Sequence, residues 1–394
     1  MIPQGPLQRA QELCELCPKL CRFTCPVSEV SGREALTPWG KVSLAALSGS
    51  TPEPSASLAF AGCTGCLRCT QYCAHENDVP STLYAARAAA VRAGTAPEAW
   101  PALAACFAVA GHGEARDLSA VYRVLEEREG ARAVAESVRE KSLSSQQAPG
   151  PLLFAGCDAL GAGGEVAADA LFAARALGAP LRLAPAAALC CGLKLVEGGH
   201  PELFAAHASR VRNALVEAQR GPLHLVFLSP GCARAVQERW PLAGAALPEG
   251  AKVEHVTSYL VRALAANPRA GDRPKLPGAM TFHDPCELAR GLVETTAPRA
   301  LLAAALEGGA REPARCGVET SCCGAGGLLP RTLPEVAASL ARARKTELAA
   351  CGAPAVTASP GCAAALGADD VVSVVARWLE TTPRAPSRGP EGAP

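Results

Sequence analysis

At 394 residues the chain suggests two or three domains, taking about 150 residues for each. A formal charge of +1 offers no electrostatic hold on nucleic acid or an anionic membrane surface, and no run of about 18 apolar residues is available to span a bilayer. Nineteen cysteines set the question, because they cluster at three-residue spacings and twice as adjacent pairs. Sulfurs that close suit one metal centre better than the long-range cross-links of a secreted disulfide scaffold. The opening MIPQGPLQRAQEL lacks a basic-then-apolar leader pattern, so the expected location is cytoplasmic, either free or peripheral on the inner face of the membrane.

Residues 1–95 carry two cysteine runs divided by a soft segment, SGSTPEPSASLAF, at 48–60. The second run, CTGCLRCTQYC, spaces Cys63, Cys66, Cys69 and Cys73 as bacterial ferredoxins do: three thiolates wrap one cubane and the fourth reaches the other cluster. The first run supplies Cys14, Cys17, Cys21 and Cys25, with Pro26 after the last. Exchange of fourth ligands assigns Cys14, Cys17, Cys21 and Cys73 to one [4Fe–4S] cluster, and Cys63, Cys66, Cys69 and Cys25 to the other. Two features depart from the pattern: the extra residue between Cys17 and Cys21, and Ala74 in place of a proline. A pair of zinc sites is the alternative, but zinc rarely takes four cysteines within eleven residues.

A helical connector follows at 96–150. Its STLYAARAAAVRAG approach and the stretch at 100–142 are Ala-rich, and SLSSQQAPG closes it as a linker. Next comes an internal repeat of about a hundred residues. Copy one, 151–266, runs from PLLFAGCDAL through Cys190-Cys191-Gly192 to LHLVFLSPGCARAV. Copy two, 277–380, runs from MTFHDPCELAR through Cys322-Cys323-Gly324 to APAVTASPGCAAAL. Short apolar runs alternating with Ala-rich helical segments predict an α/β unit for each copy. The fold class expected for the whole is α+β / α/β: a helical 2[4Fe–4S] domain, then two repeated α/β domains. A Pro/Gly-rich joint at 267–278 separates the copies, and the tail at 381–394 has a disordered composition.

Adjacent cysteines pair poorly with each other but can bind neighbouring irons. Copy one offers Cys157, Cys190, Cys191 and Cys232, and copy two offers Cys286, Cys322, Cys323 and Cys362. These are the candidate metal ligands beyond the eight of the N-terminal runs, and they are expected to converge at one end of a sheet.

In this combination the chain resembles the iron–sulfur subunits of glycolate and lactate oxidases, anaerobic glycerol-3-phosphate dehydrogenase and heterodisulfide reductase. HDPCELARG, TTAPRALLAAALEG, SCCGAGG and VTASPGC follow the second motif in order. HVTSYLVRAL matches the segment that closes the first, and CPVSEVSGREALTPWGKVSLAAL the stretch after the first run. The resemblance implies an electron-transfer subunit of an oxidoreductase complex. An FAD-containing dehydrogenase of 2-hydroxy-acid type would reduce two [4Fe–4S] clusters, and a quinone or disulfide would accept the electrons. It also implies an alternative, a catalytic subunit that reduces a disulfide at a further iron–sulfur centre in a CCG motif. That branch ends its motif in CxxC, and here Ser229 and Ser359 stand where the first of those cysteines would be. Serine oxygen is the harder and rarer ligand for iron, so a degenerate, scaffolding repeat is the third reading.

Copy two, with its CCGAGG glycines, is expected to be the working site; Leu193 and Lys194 would obstruct copy one. His283 is read as orienting its loop, with proton delivery as the rival. Cys106 and Cys351 are read as core residues. Cys316 is read as a core or surface residue, with replacement of a lost ligand as the rival, and CGAGG is not expected to bind a nucleotide.

Overall fold

The computed structural model describes residues 12–14, 17, 19–114, 117–139, 150–219 and 221–381. Most of the linker and all but the first residue of the tail read from the sequence lie outside them. The fold joins helices to two parallel four-stranded sheets. In copy one, β1 (Leu152–Phe154), β2 (Arg182–Leu183), β3 (His224–Phe227) and β4 (Lys252–His255) lie in the order β2-β1-β3-β4. In copy two, β5 (Met280–His283), β6 (Ala310–Arg311), β7 (Ala355–Thr357) and β8 (Asp369–Asp370) lie in the order β6-β5-β7-β8. Corresponding strands pair in corresponding ways, Leu152 with Leu225 in one sheet and Thr281 with Ala355 in the other.

The strands are short, and β1 is apolar throughout. Leu152, Leu153 and Phe154 are all buried, as a parallel strand covered on both faces requires. The two halves also share a core. The C-terminal helix Val371–Glu380 buries Val371, Val375 and Trp378, and its Ser373 hydroxyl donates to Asp169 on the copy-one helix Glu165–Ala176. One buried cluster extends from Val42 to Leu379.

The N-terminal part is helical. Thr37 caps Pro38–Ser48 by accepting from Gly40 N–H at 2.9 Å, and Asp78 caps Val79–Arg92 by accepting from Ser81 N–H at 3.1 Å. The connector forms Ala99–Ala110 and Leu118–Arg139. Two expectations need correction. Pro54–Ala61, inside the supposed soft segment, is a helix: Pro54 opens it, where a missing N–H costs nothing, and it buries Ala56, Ala59 and Phe60. Cys106 is exposed and Cys351 half-buried, so neither is a core residue. Cys106 falls on the outer face of its helix, whose buried side is Trp100, Leu103 and Phe107.

Candidate metal centres

The strand order reverses direction between β1 and β3, and between β5 and β7, which opens a crevice beyond the carboxyl ends of those strands. Each copy places its thiols there at matching offsets. Cys157 and Cys286 follow the last residues of β1 and β5 by three positions. Cys232 and Cys362 follow those of β3 and β7 by five. The Cys-Cys-Gly turns need glycine: Gly192 and Gly324 sit at φ 81° and 87°, and an added Cβ would meet His207 at 2.7 Å and the Ala337 carbonyl at 2.6 Å.

The two crevices are one. Cys157, Cys190, Cys191, Cys232, Cys286, Cys322, Cys323 and Cys362 line a single cavity of about 100 Å³. All eight are buried. Nothing in the sequence said that the copies face each other across a common space. Ser229 and Ser359 line it too. Each occupies the N-cap position of the helix that carries Cys232 or Cys362, yet neither side chain caps that helix. Lys194 and Leu193 reach the cavity wall, with the Lys194 ammonium tied to Asp158 at 2.9 Å and also to Glu114. Cys316 does not line the cavity; its neighbours are Glu312, Asp284 and Arg299.

Within this symmetric frame the chemistry differs. In copy two, hydrogen bonds from Cys286 and Cys323, and then from Gly324 N–H and Thr64, hold the Cys322 thiol well below its ordinary value despite burial. Cys323 Sγ donates to Cys362 Sγ at 3.1 Å, and with His283 it brings Cys362 down to about 5 against the opposing effect of burial. In copy one, a hydrogen bond to Cys190 and burial push Cys157 well up.

His283 is held by Arg344, whose Nε–H donates to Nδ1 at 3.0 Å. That bond leaves the ring proton on Nε2 in the neutral form, facing Cys362 and Cys323; the ligand atoms of the three lie within 4.8 Å of one another. The neighbouring Asp284 accepts two bonds from Arg299, at 2.7 and 2.8 Å, and one from Gly317 N–H at 2.7 Å. Arg344 and Arg299 thus fix the HDPC loop.

Two carboxyls that sequence reasoning missed also line the cavity. Burial pushes Glu197 up to about 8 and Glu287 up to about 7. Glu287 directly follows Cys286, so its position could have been flagged. Glu197 reads as an ordinary surface-helix residue.

In the N-terminal part, Cys14, Cys17, Cys21 and Cys73 line one cavity together with Trp39, His75 and Asn77. Asn77 Nδ2 donates to Cys14 Sγ at 3.3 Å, and Lys19 N–H to Cys17 Sγ at 3.4 Å. Cys25, Cys63, Cys66 and Cys69 line a second cavity. The wrapping loops use left-handed backbone at Lys19, Gly65 and Leu67. Burial, and then the nearby Cys66, Cys63 and Cys25, push the Cys69 thiol well up, against the smaller opposing effect of Lys41. All of these cysteines are free, and an all-sulfur set of four suits an iron–sulfur cluster.

The sites adjoin. Cys69 lines both N-terminal cavities, and Thr64 lines both the second of them and the eight-cysteine cavity. Thr64 Oγ1 lies 3.6 Å from Cys322 Sγ. The glycines after the copy-two pair explain this approach: a Cβ on Gly326 would meet the Thr64 carbonyl at 2.5 Å, and one on Gly327 the Cys63 carbonyl at 3.0 Å. The backbone that those glycines admit is that of the ferredoxin-type loop.

Residues 280–367 match the family model of the CCG cysteine-rich domain. Among curated proteins, the chain is 31% identical over 158 residues to a subunit of the dihydromethanophenazine:CoB–CoM heterodisulfide reductase of Methanosarcina barkeri, over 39% of this chain. It is 30% identical over the same length to the corresponding subunit from Methanosarcina acetivorans. The match spans only 38% of the length of either reductase subunit. A probable membrane-anchored ferredoxin of Chromohalobacter salexigens is 31% identical over 36% of this chain and 23% of its own length. No helix among the described residues is long and apolar enough to cross a membrane. Residues 280–367 thus carry a CCG cysteine-rich domain, and over 158 residues the chain is similar to these heterodisulfide reductase subunits.

Proposed function

We propose that the chain is an iron–sulfur electron-transfer subunit. It takes electrons from an FAD-containing dehydrogenase of 2-hydroxy-acid type and passes them towards a quinone or other acceptor. The observation that carries this reading is the serial arrangement of three thiol-lined cavities joined at Cys69 and Thr64. Cys14, Cys17, Cys21 and Cys73 would hold one [4Fe–4S] cluster, and Cys25, Cys63, Cys66 and Cys69 the second. When bound, such clusters supply one-electron carriage at potentials set by hydrogen bonds, charge and burial.

The chain's own residues order and insulate these sites. Cys14, Cys17, Cys21 and Cys73 are half-buried, whereas Cys25, Cys63 and Cys69 are buried, so a partner flavoprotein meets the first set before the second. Phe23, 83% exposed beside the first run, offers an apolar contact for it. The 1–95, 151–266 and 277–380 divisions serve as entry domain and two receiving domains.

A second reading is favoured by the eight buried thiols around one cavity. There the chain would itself reduce a disulfide-type acceptor at a further iron–sulfur centre, held by Cys286, Cys322, Cys323 and Cys362, by Cys157, Cys190, Cys191 and Cys232, or by both sets. Anaerobic purification of the full chain, with iron and sulfide assay, tests both readings. About eight irons are expected for two cubanes, and more for the second reading. Stoichiometric zinc with fewer than about four irons would sink both. Co-purification of a flavoprotein supports the first.

A further inference from the structure

Four cations, three of them buried and Arg290 half-buried, converge on one short stretch of backbone, residues 60–66, which carries Cys63 and Cys66. Lys41 Nζ donates to the Gly62 carbonyl at 2.9 Å. Arg87 Nη2 donates to the carbonyls of Phe60 and Cys63, each at 2.7 Å. Arg234, from copy one, reaches the Gly65 carbonyl at 3.3 Å, and Arg290, from copy two, reaches the Cys66 carbonyl at 2.6 Å. Each repeat thus sends an arginine to the loop, and the helical part supplies the other two cations. Lys41 and Arg87 are each 1% exposed.

Their charges are poorly balanced by protein. Arg234 has Glu238 at 2.8 Å and Glu287 at 3.8 Å. Lys41, Arg87 and Arg290 make these bonds to carbonyls, and among the described residues no acidic side chain forms an ion pair with them, although the Glu197 carboxyl lies near enough to Arg87 to feel its charge. A buried, unpaired cation is costly unless an anion completes its surroundings. Lys41 lines the same cavity as Cys25, Cys63, Cys66 and Cys69.

The outer cavity is different. Among the described residues, no lysine or arginine lines it. The described cations beside it are spoken for: Lys19 Nζ lies 3.6 Å from the centroid of the Trp39 ring, Arg22 pairs with Glu34 at 2.6 Å on the half-exposed surface, and Arg68, next to Tyr72 of the cavity wall, lies 3.9 Å from Glu319.

We infer that this collar of buried and half-buried cations makes the Cys25–Cys63–Cys66–Cys69 centre the more readily reduced of the two, so that an electron arriving at the outer centre settles next to Thr64 and the shared cavity. The inference rests on the two-cubane reading above. A thiolate-bound cubane is negatively charged and gains one more negative charge on reduction. Nearby cations in a low-dielectric site therefore favour its reduced form and raise its potential. The step is a one-electron transfer between the two centres in which no bond forms or breaks. The reductant is the reduced flavin of the partner, and the acceptor lies at the shared cavity.

The test is a redox titration of the full chain, loaded anaerobically and followed by electron paramagnetic resonance, with iron and sulfide assayed on the same sample. Cys17→Ser and Cys66→Ser assign the two signals. The signal altered by Cys66→Ser should have the more positive midpoint. Arg290→Met should lower that midpoint and leave the other in place, and Arg290→Lys, which keeps the charge but not the fork, should restore most of it. Lys41→Met provides the same test on a second, nearly isosteric side chain. Two outcomes would overturn the inference at full iron content: the Cys66-dependent signal having the lower midpoint, or neither Arg290→Met nor Lys41→Met moving it. A shortfall of iron in the unmutated chain would instead remove the two-cubane reading, and the inference with it.

Discussion

Copy one and copy two share a strand order, a Cys-Cys-Gly turn and the spacing from strand end to thiol, yet they treat the common cavity differently. Copy two carries His283 with its Arg344 support, the lowered thiols Cys322 and Cys362, and the glycines that admit the Thr64 loop. Copy one carries the Asp158–Lys194 pair, with Phe154 at the position matching His283. A duplicated backbone thus fixes where sulfurs stand, while a handful of side chains decides which thiols are lowered and which set touches the Thr64 loop.

The strongest way to break this comparison is to remove the paired thiols from each side. Cys322→Ser with Cys323→Ser should abolish electron delivery to the acceptor and leave the N-terminal cluster signals in place. Cys190→Ser with Cys191→Ser should do less. Steady-state reduction of an artificial acceptor, beside the spectra, measures both. A dead copy-one variant with an active copy-two variant would reverse the assignment. Because the sets share one cavity, comparable losses would mean that they act as one centre.

Exchange of fourth ligands sharpens the contrast between these sites and the N-terminal ones. Cys25→Ser should damage the signal that depends on Cys63, Cys66 and Cys69, though Cys25 belongs to the other run. Damage confined to the signal of Cys14, Cys17 and Cys21 would contradict the exchange.

A smaller effect separates the two docking faces. Gly326→Ala drives a Cβ into the Thr64 carbonyl and should cost about 1–3 kcal/mol of stability, with weakened coupling to the shared cavity. Gly231→Ala, on the copy-one side, meets only the end of the Glu287 side chain and should cost less. Denaturant unfolding of the two variants decides.

The smallest effect is a pH dependence. The Glu197 carboxyl, raised to about 8 when folded from its ordinary value of 4.5, holds a proton that the unfolded chain has already lost between those values. Stability from this group is therefore complete below about pH 4.5 and declines as pH rises towards about 8. Glu197→Gln should flatten that decline and leave the variant the more stable above about pH 8, by a few kcal/mol at most. Unfolding midpoints from pH 6 to 9 measure it; an unchanged slope would show that Glu197 is charged when folded.

Much of the site was legible beforehand because its signals are local. Three-residue cysteine spacing, the paired cysteines with glycine, and the recurrence of Ser-Pro-Gly-Cys after an apolar run all rest on short-range chain geometry. The errors and omissions arose where the deciding partner was distant in sequence. Pro54–Ala61 reads as soft until Phe60 finds the core. Cys106 reads as core until the helix face it occupies is known. Arg87, Arg234 and Arg290 carry no local signal, since nothing near them in the sequence reveals that they end on the carbonyls of residues 60–66.

The sequence by itself determined the chemistry available: sixteen cysteines in two kinds of pattern, a repeated strand-and-helix unit, and the serines in place of two further thiols. These follow from residue type and spacing, which survive in any conformation. Only the tertiary structure decided that the two repeats face a common cavity, that the ferredoxin-type loop enters it through Thr64 against Gly326, and that buried cations surround that loop. Each of these depends on packing between residues from about twenty to more than two hundred positions apart, where burial rather than spacing sets both the geometry and the charge.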